Sequence, residues 1–220
     1  MQPRICLSLS TVGLLLLAGS ALAQEPAQFT ALFDGKTFDG WEGNRSVFRI
    51  EEGAIVGGSL TQPVARNEFL CTKKTYGDFE LRLKFKLLGN EANGGVQIRS
   101  RRIPNHHEMI GYQADIAEGF WGCIYDESRR NKVLAGPAEA ERGRNIRRQD
   151  WNDYVMRCEG PRIRLWVNGH QTADFTESDA SIPLSGVIGL QIHGGPASEA
   201  WYKDISIREM PPRSQREIPR

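Results

Sequence analysis

After its first two dozen residues the sequence has no long apolar run. A helix needs roughly 20 consecutive apolar residues to cross a bilayer, so membrane insertion by the body of the chain is not expected. An excess of one charge is also missing: 28 Lys and Arg stand against 27 Asp and Glu, a formal net charge of +1. Nucleic acid and anionic membrane partners call for a basic excess, so neither is expected. Basic clusters at Arg99, Arg101 and Arg102 and from Arg142 to Arg148 have acids nearby in the chain, and the second reads as a solvated loop.

Cysteine is scarce. Cys6 sits near the N-terminus, which leaves Cys71, Cys123 and Cys158. An odd number allows one disulfide at most, and the spacing matches no zinc pattern. Cys71 and Cys158 fall on strand-like runs and read as small buried hydrophobes. No window sustains a helical period with caps; "GPAEAERGRNIRRQD" could hold a turn or two. There is no internal repeat, P-loop, GxGxxG, HExxH or Ser-His-Asp elbow, which removes the enzyme classes those motifs carry.

What is present begins with "MQPRICLSLSTVGLLLLAGSALAQ". Arg4, an apolar run to Ala18 and Ala21-Leu22-Ala23 form a secretory signal peptide over residues 1–23, cleaved after Ala23. Gln24, and not the cysteine that a lipoprotein needs, directly follows the cleavage point, so the mature chain is expected free in the periplasm or outside the cell. Residues 24–209 are long enough for one domain with its own core. The tail "PPRSQREIPR" has no apolar period, and residues 210–220 are expected to be disordered.

The dominant period is two. "DFELRLKFKL" puts Phe79, Leu81, Leu83, Phe85 and Leu87 on one face and Glu80, Arg82, Lys84 and Lys86 on the other, a strand with one side in water. "RIRLWVNGHQTADF" is a hairpin with Asn168-Gly169 at its turn. Further strands are expected at 47–50, 53–57, 69–72, 95–100, 111–116, 121–125, 151–159, 186–193 and 201–208. Many short strands at even spacing predict an all-β sandwich or barrel.

Three strands carry a different outward face. In "GGVQIRS", Gln97 and Arg99 oppose Val96 and Ile98. In "GYQADI", Gln113 and Asp115 oppose Tyr112, Ala114 and Ile116. In "IGLQIHGG", Gln191 and His193 oppose Ile188, Leu190 and Ile192. Glutamine both donates and accepts, which suits sugar hydroxyls, and Arg, Asp and His add charge stabilisation and proton transfer. The plain alternative is three unrelated polar faces. Residues 100–111 connect two of these strands, so His106, His107 and Glu108 are expected at a rim of the same sheet. Trp121 and Tyr125 follow and could stack on a pyranose ring, although Trp121 could equally belong to the core.

The ordered segments "LFDGKTFDGW", "FLCTKKTYGDFELRLKFKL", "GGVQIRS", "GYQADI", "WNDYVMRCEGPRIRLWVNG" and "GVIGLQIHG…WYKDISIRE" resemble the 3-keto-disaccharide hydrolase family from about Phe29 to about Glu209. The resemblance implies a concanavalin A-like jelly roll of two antiparallel sheets with a ligand site on a concave face. It also implies exported glycoside breakdown acting on sugars already oxidised at C3, and hence a sugar 3-oxidoreductase as functional partner. Many members carry an Arg-Asn pair where this chain has Trp201-Tyr202-Lys203-Asp204, so Lys203 is the basic side chain retained there.

A ketone at C3 acidifies the C2 proton. A base removes it, the enolate expels the C1 aglycone and water adds to the enone, so the net result is hydrolysis. The residues suggest His193 as base, Arg99 or a bound cation on the enolate oxygen, and Asp115 orienting the base or acting as acid. Gln97, Gln113 and Gln191 would hold hydroxyls. His106, His107, Glu108, Asp115 and His193 are suitable ligand types for a divalent cation, but their spacing defines no metal site. Two rivals stay open: a carboxylate-pair glycosidase, with Glu108 or Glu118 joining Asp115, and a non-catalytic carbohydrate-binding, lectin-like module.

Overall fold

The alternation read from the sequence becomes fifteen strands among residues 28–211, the residues that the computed structural model describes. The expected signal peptide, residues 1–23, lies outside them, as does the part of the expected disordered tail, residues 210–220, beyond residue 211. In chain order the strands are β1 (Thr30–Ala31), β2 (Trp41–Glu42), β3 (Phe48–Glu51), β4 (Ala54–Ser59), β5 (Glu68–Thr72), β6 (Phe79–Gly89), β7 (Asn93–Arg102) and β8 (Met109–Ala117). There follow β9 (Ile124–Glu127), β10 (Val133–Ala135), β11 (Asn152–Glu159), β12 (Arg162–Val167), β13 (His170–Thr176), β14 (Val187–Ile192) and β15 (Ser198–Glu209). The stretch that could hold a helical turn has a single 3-10 turn, Glu139–Glu141. No helix of the described residues is long and apolar enough to cross a membrane.

All pairings are antiparallel and form two sheets. One runs β13-β12-β11-β6-β15-β4-β3, with β1 added beside β15; the other runs β10-β9-β8-β7-β14-β5-β2. Inward residues of the long strands meet between them: Phe79, Leu81, Leu83 and Phe85 from β6 face Val96, Ile98, Ala114, Ile116, Ile188 and Leu190, each no more than 3 % exposed. This is the aligned sandwich in which two apolar faces bury each other. The predicted hairpin is present, with Asn168 at φ +49° and Gly169 at φ +81°, the left-handed pair that a two-residue turn between twisted strands requires. Cys71, Cys123 and Cys158 are buried free thiols.

Two features depart from regular pairing and shape the site. The β7–β8 ladder loses register between Ile98 and Arg101, and Arg99 there has φ +49°. This β-bulge re-aims the side chains that follow it. The second is the far end of the β7–β8 hairpin. Although β14 and β7 separate β5 from β8, Met109 Sδ lies 3.7 Å from Cys71 Sγ on β5. Arg102 donates to Phe69 O and Glu42 O, and Asn67 donates to Glu108 at 3.0 Å. Residues 102–109 therefore cross the outer face of β14. Gly189, which has no side chain, leaves room for Cys71 and Gln97 there.

Candidate functional site

The sequence places a glutamine on each of three strands, and the ladders bring those strands together. Cross-strand register aligns Gln191, Gly95 and Asp115 in one row and Gly189, Gln97, Gln113 and Tyr125 in the next. All lie on the outer face of one sheet, opposite the core. The row, expected on a concave ligand face, is enclosed. Gln97 and Gln191 are 0 % exposed, Gln113 4 % and Asp115 6 %. The crossing hairpin end and an apolar cluster of Phe69, Cys71, Met109 and Val187 account for this cover.

A directional chain of hydrogen bonds runs through the row. Ser100 Oγ is 2.7 Å from Gln97 Oε1, Gln97 Nε2 donates to Gln113 Oε1 at 2.7 Å, and Gln113 Nε2 donates to Asp115 Oδ1 at 3.4 Å. Asp115 Oδ1 also accepts the Ile116 backbone N–H at 3.0 Å. Gly95 makes this possible, because a Cβ there would come within 2.7 Å of the Gln113 side chain. Behind the row the Tyr202 hydroxyl lies 2.6 Å from Gln191 O, and the Tyr154 hydroxyl donates to Asp115 O. These inter-sheet bonds pin the floor of the site to the core.

Burial pushes the Asp115 carboxyl up to about 7; the Gln113 and Ile116 hydrogen bonds pull it down less, and the charge of Glu127 adds to the rise. Glu127, on the same outward face as Tyr125, is itself raised by burial and by Glu108. Gln191 is the exception to a satisfied network: neither Nε2 nor Oε1 has a partner among the described residues, and the buried Glu108 Oε2 has none either. Buried polar atoms left unpaired each cost roughly 1–3 kcal/mol, so a polar group that paired with them would recover that cost.

The structure brings only part of the expected set together. Gln97, Gln113, Gln191, Asp115 and Tyr125 share the face. Glu108 reaches it from the hairpin end, beside His107 at 3.2 Å. His106 is exposed, stacks on His107 at 4.5 Å and accepts the Glu108 N–H, so it shapes the loop. His193 lies just past β14, exposed at the rim, with Nδ1 2.7 Å from Gly194 O.

Three expectations need correction. Arg99 does not share the face: the bulge turns it to the other side, where it bonds Gly77 O, Gly160 O and Asp78 and is 5 % exposed. Trp121 is a core residue, 7 % exposed and stacked on Phe85 of the opposite sheet. Lys203 lies on the outer face of that opposite sheet, 4.1 Å above the Trp151 ring. Among the described residues no group of three or more His, Cys, Asp or Glu is arranged to hold a metal. Sequence reasoning missed Ser100, Asn67 and Glu127. Glu127 was within reach of the alternation argument, two residues after Tyr125 in "IYDE". Ser100 was not, because only the bulge puts it beside Gln97.

Among solved structures, a Parabacteroides distasonis protein provisionally described as a glycosyl hydrolase is similar, at 18% identity and TM-score 0.63, over 83% of this chain and 94% of that one. The carbohydrate binding module CBM66 from Bacillus subtilis is similar at 14% identity and TM-score 0.61, over 77% of this chain and 96% of that one. So is a Bacillus subtilis protein of galectin-like fold, at 10% identity and TM-score 0.58, over 84% and 96%. At such identities the likeness shows the fold, a jelly-roll sandwich. A search of curated proteins finds no match. The family comparison reaches further: the model described as the 3-keto-alpha-glucoside-1,2-lyase-like domain matches residues 28–208, and the chain belongs to that family.

Proposed function

We propose that the outer face carrying Gln97, Gln113, Gln191 and Asp115 binds a glycoside oxidised at C3 and cleaves it by elimination and hydration. The observation that carries this reading is Asp115: an enclosed carboxyl raised to about 7, set in a row of amides. Such a group is part acid and part base near neutral pH, which proton transfer at both C2 and the leaving oxygen requires. Family membership supports the sugar class, and the Gln row supports a ligand that donates and accepts hydrogen bonds.

In this reading a base takes the proton from C2 and the electron pair moves onto the C3 oxygen as an enolate. The enolate then re-forms the ketone, the C1–O bond breaks, and the departing oxygen leaves with a proton as an alcohol. Water adds across C1 and C2 of the enone, which completes a net hydrolysis. Asp115 is the acid–base group next to the reacting carbons. His193, two residues beyond Gln191 at the rim, is the second group able to carry a proton. Arg99 is engaged elsewhere, so the unpaired Gln191 Nε2 takes its expected place as donor to the enolate oxygen. Such a substrate has to come from an enzyme that oxidises a sugar hydroxyl at C3, and the leader-like N-terminal sequence supports this chemistry outside the cytoplasm.

The charge coupling of Glu108, Glu127 and Asp115 favours one second reading, a glycosidase using two carboxyl groups on unoxidised sugars. One experiment separates the two. The protein is incubated in deuterated water with a 3-keto-glucoside and with its unoxidised parent. Cleavage of the keto sugar alone, with deuterium at C2 of recovered material, is the expected result. Equal cleavage of both without C2 exchange overturns the elimination and favours the carboxyl pair. Binding without cleavage of either favours a binding module.

A further inference from the structure

The bulge at Arg99 has a chemical consequence one residue later. Ser100 is 1 % exposed, and its hydroxyl lies 3.0 Å from Ile98 O and 3.3 Å from Tyr112 O as well as 2.7 Å from Gln97 Oε1. Every neighbour named is an oxygen that accepts. The hydroxyl has one proton, and giving it to Gln97 Oε1 makes Gln97 present its Nε2 to Gln113. Gln113 must then meet that N–H with Oε1 and turn its own Nε2 to Asp115. A carboxylate is favoured by an N–H and disfavoured by a carbonyl, so the direction of the chain decides which protonation state of Asp115 is supported.

We propose that Ser100 sets this direction and is thereby the positioning residue for Asp115, acting across two buried glutamines. Without the hydroxyl the carbonyls of Ile98 and Tyr112 attract the amide N–H₂ of Gln97 rather than its oxygen. Gln97 then turns over, Gln113 follows to meet it, and Gln113 Oε1 faces Asp115. The chain in its present sense also places two N–H groups on Oδ1, so the proton of the acid form resides on Oδ2. The remaining groups coupled to Asp115 are acids on every side. They are Glu127 and Tyr125 on β9, Cys123 before it, and Tyr154 and Tyr202 from the opposite sheet. None of these supplies a cation that would mask the effect of the chain.

The importance of this for turnover rests on the reading of Asp115 as the acid–base group, and the test keeps the two apart. The Asp115 carboxyl carbon is followed by NMR against pH in the intact protein, without substrate, for the native chain and Ser100→Ala. The midpoint is expected to rise by about one pH unit or more in the variant, with altered side-chain amide signals of Gln97 and Gln113. An unchanged midpoint and unchanged amide signals overturn the proposal. Should Ser100→Ala not fold, Ser100→Cys, a weaker donor of similar shape, replaces it and is expected to move the midpoint in the same direction; no shift there overturns it equally. Turnover of a 3-keto-glucoside is then measured against pH. A matching shift of its acid–base limb upholds the role of Asp115. A shifted NMR midpoint with an unmoved turnover profile upholds the chain and overturns that role.

Discussion

Replacing Asp115 with Asn should make the protein more stable above neutral pH while it stops turning over. The carboxyl is 6 % exposed and raised to about 7 in the folded chain, against an ordinary value near 3.9 when unfolded. A raised carboxyl favours the folded state in its protonated form, so this contribution is whole below about pH 4 and is lost as pH rises toward 7. The gap between about 3.9 and about 7 corresponds to about 4 kcal/mol, reached once the folded group has ionised. Asn has the shape of the protonated acid, keeps an oxygen for Gln113 and Ile116, and does not ionise. The difference in unfolding free energy between the Asp115→Asn variant and the native protein should therefore be near zero at pH 4 and about 4 kcal/mol at pH 8. For a domain of this size that is roughly 10 °C in melting temperature. Denaturant unfolding of both proteins from pH 4 to pH 8 measures it, and taking the difference cancels groups common to both. A difference that does not change with pH, or a variant less stable than the native chain at pH 8, would refute the assignment of a raised pKa to this carboxyl.

Gln191→Leu removes two unpaired buried polar atoms at nearly constant volume. It should raise stability by about 1–3 kcal/mol and weaken binding of a sugar ligand, read by thermal melting and calorimetric titration. Arg99→Lys keeps the charge but cannot reach Gly77 O, Gly160 O and Asp78 together. It should cost about 3 kcal/mol of stability and leave the pH profile of turnover in place; loss of turnover at full stability would return Arg99 to the chemistry. Lys203→Ala, on the outer face of the other sheet, should leave sugar affinity and turnover unchanged in a titration and a rate measurement.

What was legible in the sequence was whatever alternation controls. The inward residues of β6, β7, β8, β12 and β14 are the ones that a period of two predicts, because burying one face between two sheets imposes that period. The same rule put Gln97, Gln113, Gln191 and Asp115 on one side of their strands. It failed at Arg99 because a bulge inserts a residue, and "QIRSRR" contains no glycine or proline to announce it. It could not assign Lys203, because alternation says which way a side chain faces but not which sheet its strand joins. Trp121 precedes β9 rather than lying on it, so no strand parity applied to it. The two-residue strands β1 and β2 and the three-residue β10 are too short to show any period.

The enclosure of the row links its chemistry to the fold. Residues 102–109 reach β5 through the Asn67–Glu108 hydrogen bond, the Arg102 bonds to backbone carbonyls and the Met109–Cys71 contact. Asn67 is tied in turn to Gly194 N at 2.8 Å, next to His193, so the cover and the rim share one polar residue. Few hydrogen bonds hold this cover, each worth about 1 kcal/mol net. The cover hides Gln191 and one Glu108 oxygen without pairing them, which offsets part of that gain. A ligand whose hydroxyls pair with those atoms recovers the desolvation cost that closure alone does not. On the proposed reading, a polyhydroxy ligand that pairs with those atoms strengthens a cover that is already in place. The burial that raises Asp115 comes with this cover, so on the proposed reading the carboxyl is already raised before a ligand binds.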